Sequence, residues 1–96
     1  MEGPKPARYK VSAMTDILIY TTAWCPFCIR AKMLLDGKGV TYTEINVDKE
    51  PAKRAEMMQR SRQRTVPQIF FGESHIGGCD ELYALERQGK LDKLLA

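Results

Sequence analysis

Short β-branched and aromatic runs alternate along this chain with longer stretches whose apolar residues recur every three to four positions. The run DILIYT (16–21) has the character of a buried strand. From Pro26 the period changes. Cys28, Ala31, Leu34 and Leu35 recur at helical spacing, Ile29 and Met33 form an adjoining stripe, and Gly37 and Gly39 stop the helix. VTYTEINV (40–47) predicts a second strand, and DKEPAKRAEMMQRS (48–61) a second helix with Pro51 suited to its first turn. PQIFF (67–71) and SHIGG (74–78) flank Gly72 and Glu73, which reads as a hairpin of two strands. CDELYALERQG (79–89) predicts a helix with Asp80 and Glu81 in its first turn. KLDKLL (90–95) predicts a closing helix with Leu91, Leu94 and Leu95 on one face.

The order is therefore βαβαββαα. A parallel βαβ start with its right-handed crossover, followed by an antiparallel hairpin, implies an α/β fold: a four-stranded mixed sheet with helices on both faces. Ninety-six residues at 44% hydrophobic content suffice for one core and are too few for two. The domain is expected over residues 16–96, without repeat, linker or low-complexity tract. Residues 1–15, with two prolines, a glycine and scattered charge, read as a disordered tail or expression remnant without chemistry of its own.

A formal net charge of +3 is a mild bias that suits small anionic ligands. Six basic residues (Lys49, Lys53, Arg54, Arg60, Arg62 and Arg64) against Glu50 and Glu56 read mostly as a solvated helix face. Stacked aromatics and a groove-reading motif are missing, so no nucleic-acid partner is expected. No stretch approaches a membrane span and the first residues lack the apolar run of a signal peptide, so a soluble protein without a membrane partner is expected. Three cysteines are an odd count and exclude a complete disulfide framework. They point to a reducing, cytoplasmic compartment.

Two of those cysteines stand in CPFC, where the first strand gives way to the first helix. At a helix amino terminus the unpaired N–H groups and the helix dipole favour a thiolate, so Cys25 is the expected nucleophile. Pro26 fits the first helical position, where its missing N–H costs nothing. Cys28 lies one turn on, more enclosed, and is the expected resolving thiol of a disulfide that closes and reopens. Zinc is the competing use. It needs about four ligands, and beyond Cys79 and the single His75 nothing supplies them, so no metal is expected.

CPFC after a strand, TVPQIF some forty residues later and GGCDEL opening the next helix together resemble the glutaredoxin family, on the thioredoxin fold. The resemblance runs over nearly all of residues 16–96. It implies a glutathione-dependent thiol-disulfide oxidoreductase, with no bound cofactor and glutathione as co-substrate. Its partners would be disulfide-containing or glutathionylated proteins, and the chain would act as a monomer. It also implies a cis bond before Pro67, leaving the Val66 N–H and C=O free to pair with glutathione as an extended peptide. The glutathione site so implied takes in Phe27, Arg54, Thr65, Val66, Pro67, Gly78, Cys79 and Asp80. Gly77 and Gly78 bring flexible backbone to a helix amino terminus suited to a carboxylate, and Asp80 offers an acceptor to an ammonium. Arg54 stands where glutaredoxins reach the glycine carboxylate, which a guanidinium holds bidentately. Cys79 reads otherwise as a small buried residue, and His75 as a surface residue without a role.

The sequence departs from the family pattern at several points. Thr22 stands where a lysine is common, Phe27 where tyrosine is, and Arg62 where many relatives have glycine. Trp24 before Cys25 is more thioredoxin-like, either covering the site or filling its loop. Two alternatives stay open: a thioredoxin-like reductase served by a flavoprotein, and an iron-sulfur carrier in which two chains share a cluster. GGCD and Arg54 oppose the first, and the stiffness of Pro26 opposes the second.

Overall fold

The computed structural model describes residues 16–95, so the tail expected over 1–15 and the final residue lie outside the described residues. Four strands, β1 (Ile17–Thr21), β2 (Thr43–Asn46), β3 (Gln68–Phe71) and β4 (Ser74–Gly77), combine with four helices in the order βαβαββαα. The helices are α1 (Pro26–Gly37), α2 (Pro51–Ser61), α3 (Cys79–Arg87) and α4 (Leu91–Leu95). All eight expected elements are present in the expected order. The strands stand β2-β1-β3-β4, with β1 parallel to β2 and antiparallel to β3, and β3 antiparallel to β4.

Period-two alternation on the two central strands divides the core. Ile17 and Ile19 of β1, with Ile69 and Phe71 of β3, face one way and meet Ala31 and Leu35 of α1, Cys79 and Leu82 of α3, and Leu91 and Leu95 of α4. Tyr20 and Phe70 face the other way and pack with Val47 and Met57 beneath α2. Helices thus cover both faces, as the apolar pattern implied. Fully burying a Leu or Ile side chain is worth about 1.5–3 kcal/mol, so each layer is held by several such terms.

Polar ties close the layers. The Tyr20 hydroxyl donates to Glu56 and accepts from Arg60, whose guanidinium lies 4.2 Å from the centre of the Phe70 ring. Lys38, just past α1, reaches Glu86 of α3 and Asp92 of α4, each at 2.8 Å. The Tyr83 hydroxyl donates to the carbonyl of Arg30 at 2.9 Å and joins α3 to α1.

Two details differ from expectation. The Ile29 and Met33 stripe of α1 turns to solvent, and Leu94 is half-exposed while Leu91 and Leu95 are buried. A helix of five residues at the chain's end covers the sheet with one face only, and the ends of that face take the burial.

Arg62 follows α2 in left-handed conformation, with φ at 60°, and its N–H closes the helix on the carbonyl of Met58 at 2.9 Å. An L side chain is disfavoured there, and glycine is the usual occupant. Arg62→Gly is expected to stabilise the fold by about 0.5–1 kcal/mol, read as a higher urea midpoint with an unchanged slope. A lower midpoint would mean that the exposed arginine contributes packing that outweighs its backbone cost.

Candidate functional site

The centre of the site is the junction of β1 and α1. β1 is one of two interior strands, paired on both sides, and its carboxyl end delivers the chain to a loop that turns directly into α1. Cys25 is the N-cap of that helix, in extended conformation, and Pro26 occupies the first helical position. The Cys25 sulfur takes the part an N-cap oxygen usually plays, accepting the N–H of Cys28 at 3.0 Å. An electron-rich sulfur is favoured by that bond and by the other N–H groups of the first turn. The Cys25 sulfur also lies 3.7 Å from the carbonyl oxygen of Val66, so it faces the segment before β3.

Cys28 is the more enclosed thiol, 1% exposed against 7% for Cys25. Burial pushes it up to about 12, aided by the hydrogen bond with Cys25 and by that sulfur's charge, and opposed by the Thr22 backbone and by Lys32. Lys32 of α1 therefore supplies a positive charge near the pair, although position 22 carries no lysine. Its ammonium is itself paired with Glu44 at 2.9 Å, and Thr21 donates to the same carboxylate at 2.7 Å. Cys79 is buried at the start of α3, and that burial raises its thiol.

An open groove of about 280 Å³ runs from this centre, lined by Phe27, Thr65, Val66, Pro67, Gly78, Cys79, Asp80 and Glu81. Seven of these are residues the sequence assigned to the glutathione site. The Val66–Pro67 bond is cis. The close approach of α3 to this segment explains the double glycine. A Cβ on Gly77, whose φ is +118°, would fall 2.8 Å from the Glu81 side chain, and one on Gly78 would fall 3.2 Å from the Pro67 carbonyl. Glu81 reaches back to the N–H of Gly78 at 2.6 Å, so that donor is occupied. The N–H groups of Cys79, Asp80 and Glu81, in the helix's first turn, precede the first intrahelical bond, from the Leu82 N–H to the Gly78 carbonyl. Glu81 was missed as a site residue, although its place three residues after Gly78 has the spacing of a capping box.

Arg54 stands apart from the groove walls. It lies on α2 with its guanidinium on Asp48 at 2.8 Å, an exposed pair. Such pairs are worth about 0–1 kcal/mol, so the guanidinium is available to an anion arriving nearby. Trp24 projects into solvent, 95% exposed, and does not fill its loop; Phe27, half-exposed, forms the wall beside Cys25. His75 is on the surface as expected, yet it is engaged: its ring packs on Phe70 at 4.9 Å and its Nε2 meets the Gln68 carboxamide at 2.7 Å. Among the described residues no group of three or more His, Cys, Asp or Glu side chains could hold a metal ion.

Comparison with known proteins bears on this arrangement. The glutaredoxin family model matches residues 17–76. The chain is 59% identical over 83 residues to a glutaredoxin of Pseudomonas aeruginosa, covering 86% of this chain and 99% of that protein. It is 55% identical over 82 residues to glutaredoxin 3 of Escherichia coli, covering 85% and 99%. Among solved structures it is similar to a buckwheat glutaredoxin-glutathione complex, with a TM-score of 0.78 and 36% identity over 88% of this chain and 80% of that one.

The unequal burial of the thiols has a direct readout. With Cys28 near 12, its thiolate fraction at pH 8 is on the order of 10⁻⁴. Brief treatment of the reduced protein with iodoacetamide at pH 8 is therefore expected to label Cys25 and leave Cys28 and Cys79 unmodified, as read by peptide mass. Equal labelling of Cys28 would show that its enclosure is not maintained in solution.

Proposed function

The chain belongs to the glutaredoxin family, and on that premise we propose that Cys25 and Cys28 are the attacking and resolving thiols of a glutathione-dependent thiol-disulfide oxidoreductase. The observation that carries the assignment is the 3.0 Å hydrogen bond from the Cys28 N–H to the Cys25 sulfur at the helix start. It supports Cys25 as the attacking sulfur, and it holds Cys28 one turn behind.

With a protein disulfide, the Cys25 thiolate attacks one sulfur; the other departs as a thiolate and takes up a proton. Cys28, once deprotonated, attacks the Cys25 sulfur of this mixed disulfide and releases the second protein thiol. One glutathione thiolate then opens the Cys25–Cys28 bond, and a second removes the first from Cys25 as glutathione disulfide. With a glutathionylated protein the route is shorter. Cys25 takes the glutathione, the protein thiol leaves, and a second glutathione restores Cys25. Burial of Cys28 favours this short route, because a thiol held protonated resolves slowly and an external glutathione can reach Cys25 first.

The groove supports an extended glutathione beside Val66, with its γ-glutamyl carboxylate toward the N–H groups of Cys79 and Asp80 and its ammonium toward the Asp80 carboxylate. Arg54 would swing from Asp48 to the glycine carboxylate. The clients are disulfide-containing or glutathionylated proteins, and the chain acts as a cytoplasmic monomer in this reading.

The two routes separate in Cys28→Ser. Turnover of a small glutathione mixed disulfide with glutathione as sole reductant is expected to survive, because Cys25 alone completes it. Reduction of a protein disulfide is expected to fall sharply, since an external thiol must then enter a covered site. Loss of both activities to the same extent would refute the short route. Cys25→Ser is expected to abolish both.

Glutathione recognition has its own test. Arg54→Ala and Asp80→Ala are each expected to weaken glutathione use by roughly 1–3 kcal/mol, measured from the dependence of rate on glutathione concentration. An unchanged dependence in both variants would remove these residues from the binding site.

A further inference from the structure

Gln68 is the first residue of β3 and is 3% exposed, a buried carboxamide directly after the groove segment 65–67. A buried amide needs partners, and both its nitrogen and its oxygen are engaged here. Its Nε2 donates to the Thr65 carbonyl at 3.0 Å and lies 3.3 Å from the Thr65 hydroxyl. Its Oε1 lies 2.7 Å from the Nε2 of His75. The Thr65 carbonyl has no hydrogen to give, so the amide nitrogen must face it and the amide oxygen must face His75. His75 must then carry its hydrogen on Nε2, a condition met by one neutral tautomer and by the imidazolium alike. The ring is aimed by its packing on Phe70 and by a register shift in the β3–β4 pairing, where Ile69 opposes Gly77 but Phe70 opposes His75. A bulge of this kind turns side chains that a regular ladder would place elsewhere.

The line ends at the groove. Thr65 belongs to two walls at once: it lines the groove with Val66 and Pro67, and on its other side it lines an open polar pocket of about 390 Å³. Gln63, Gln68, His75 and Glu81 also border that pocket. The wall against which glutathione would lie therefore has open space behind it, and the Gln68–Thr65 bonds brace it from the rear. We propose that Gln68 and His75 are positioning residues for glutathione: His75 orients the Gln68 carboxamide, which holds Thr65 so that the neighbouring Val66 backbone is presented to the peptide. Neither side chain touches the reacting sulfurs. Their effect falls on glutathione binding and not on the chemical step.

This inference rests on the glutathione reading above, and the test distinguishes the two. The probe is steady-state turnover of a small glutathione mixed disulfide against glutathione concentration, with the melting temperature of each variant recorded. His75→Phe keeps a ring to pack on Phe70 and removes only the donor. It is expected to raise the KM for glutathione by about 3- to 10-fold with kcat within about twofold and the melting temperature nearly unchanged. His75→Gln places an amide donor near the lost Nε2 and is expected to recover most of the loss. Gln68→Met keeps the volume without the bonds and is expected to raise KM at least as far. The double variant is expected to be no worse than Gln68→Met alone, because both changes break one line of bonds. KM within twofold of the parent in both single variants would overturn the proposal while leaving the glutathione reading intact. So would effects that simply add in the double variant, or a fall in kcat that tracks a fall in melting temperature. A parent protein without glutathione turnover would overturn both.

Discussion

One hydrogen bond organises this molecule's chemistry: the N–H of Cys28 directed at the sulfur of Cys25. It is at once a helix cap and an electrostatic device. As a cap it ends the extended chain from β1 and starts α1, with Pro26 already shaped for the first turn. As an electrostatic device it holds a donor against the sulfur that must carry charge. The same turn that makes Cys25 an acceptor encloses Cys28, and burial pushes the Cys28 thiol up.

The rest of the fold supplies what that bond needs around it. β1 is paired on both sides and covered on both faces, so the position of its carboxyl end is set by two cores at once. The segment before β3 reaches the site because β3 runs antiparallel to β1, which brings Val66 beside Cys25 across 41 residues of sequence. The start of α3 can close the groove because Gly77 and Gly78 leave room where any Cβ would collide with Glu81 or crowd the Pro67 carbonyl. Cap, sheet end and glycine pair are local features whose common purpose appears only when the sheet assembles them.

Charge around the site follows a similar logic. Position 22 lacks a lysine, yet Lys32 of α1 acts on the Cys28 thiol while remaining tied to Glu44. Arg54 rests on Asp48 in an exposed pair whose small energy leaves it free to exchange partners.

The sequence by itself determined the order of elements, the two-faced sheet and the reactive pair, because these depend on local periods. DILIYT is a short β-branched and aromatic run of buried-strand type, Cys28, Ala31 and Leu35 lie on a helical stripe, and Cys-Pro-Phe-Cys at a strand-to-helix change is a local motif. Most of the groove was legible through the family resemblance carried by the short motifs that hold Thr65 to Pro67 and Gly78 to Asp80. What tertiary structure alone decided are the contacts whose partners lie far apart or whose faces depend on neighbours. The solvent exposure of Ile29, Met33 and Leu94 follows from which side of a helix the sheet happens to meet. The engagement of His75, which reads as an idle surface residue, depends on a register shift between β3 and β4 that no periodicity announces. Gln68 reads as one more residue of a strand until the structure shows its carboxamide spanning from His75 to Thr65. A hydrogen bond depends on the positions of both ends, and a sequence fixes those only where they are close along the chain.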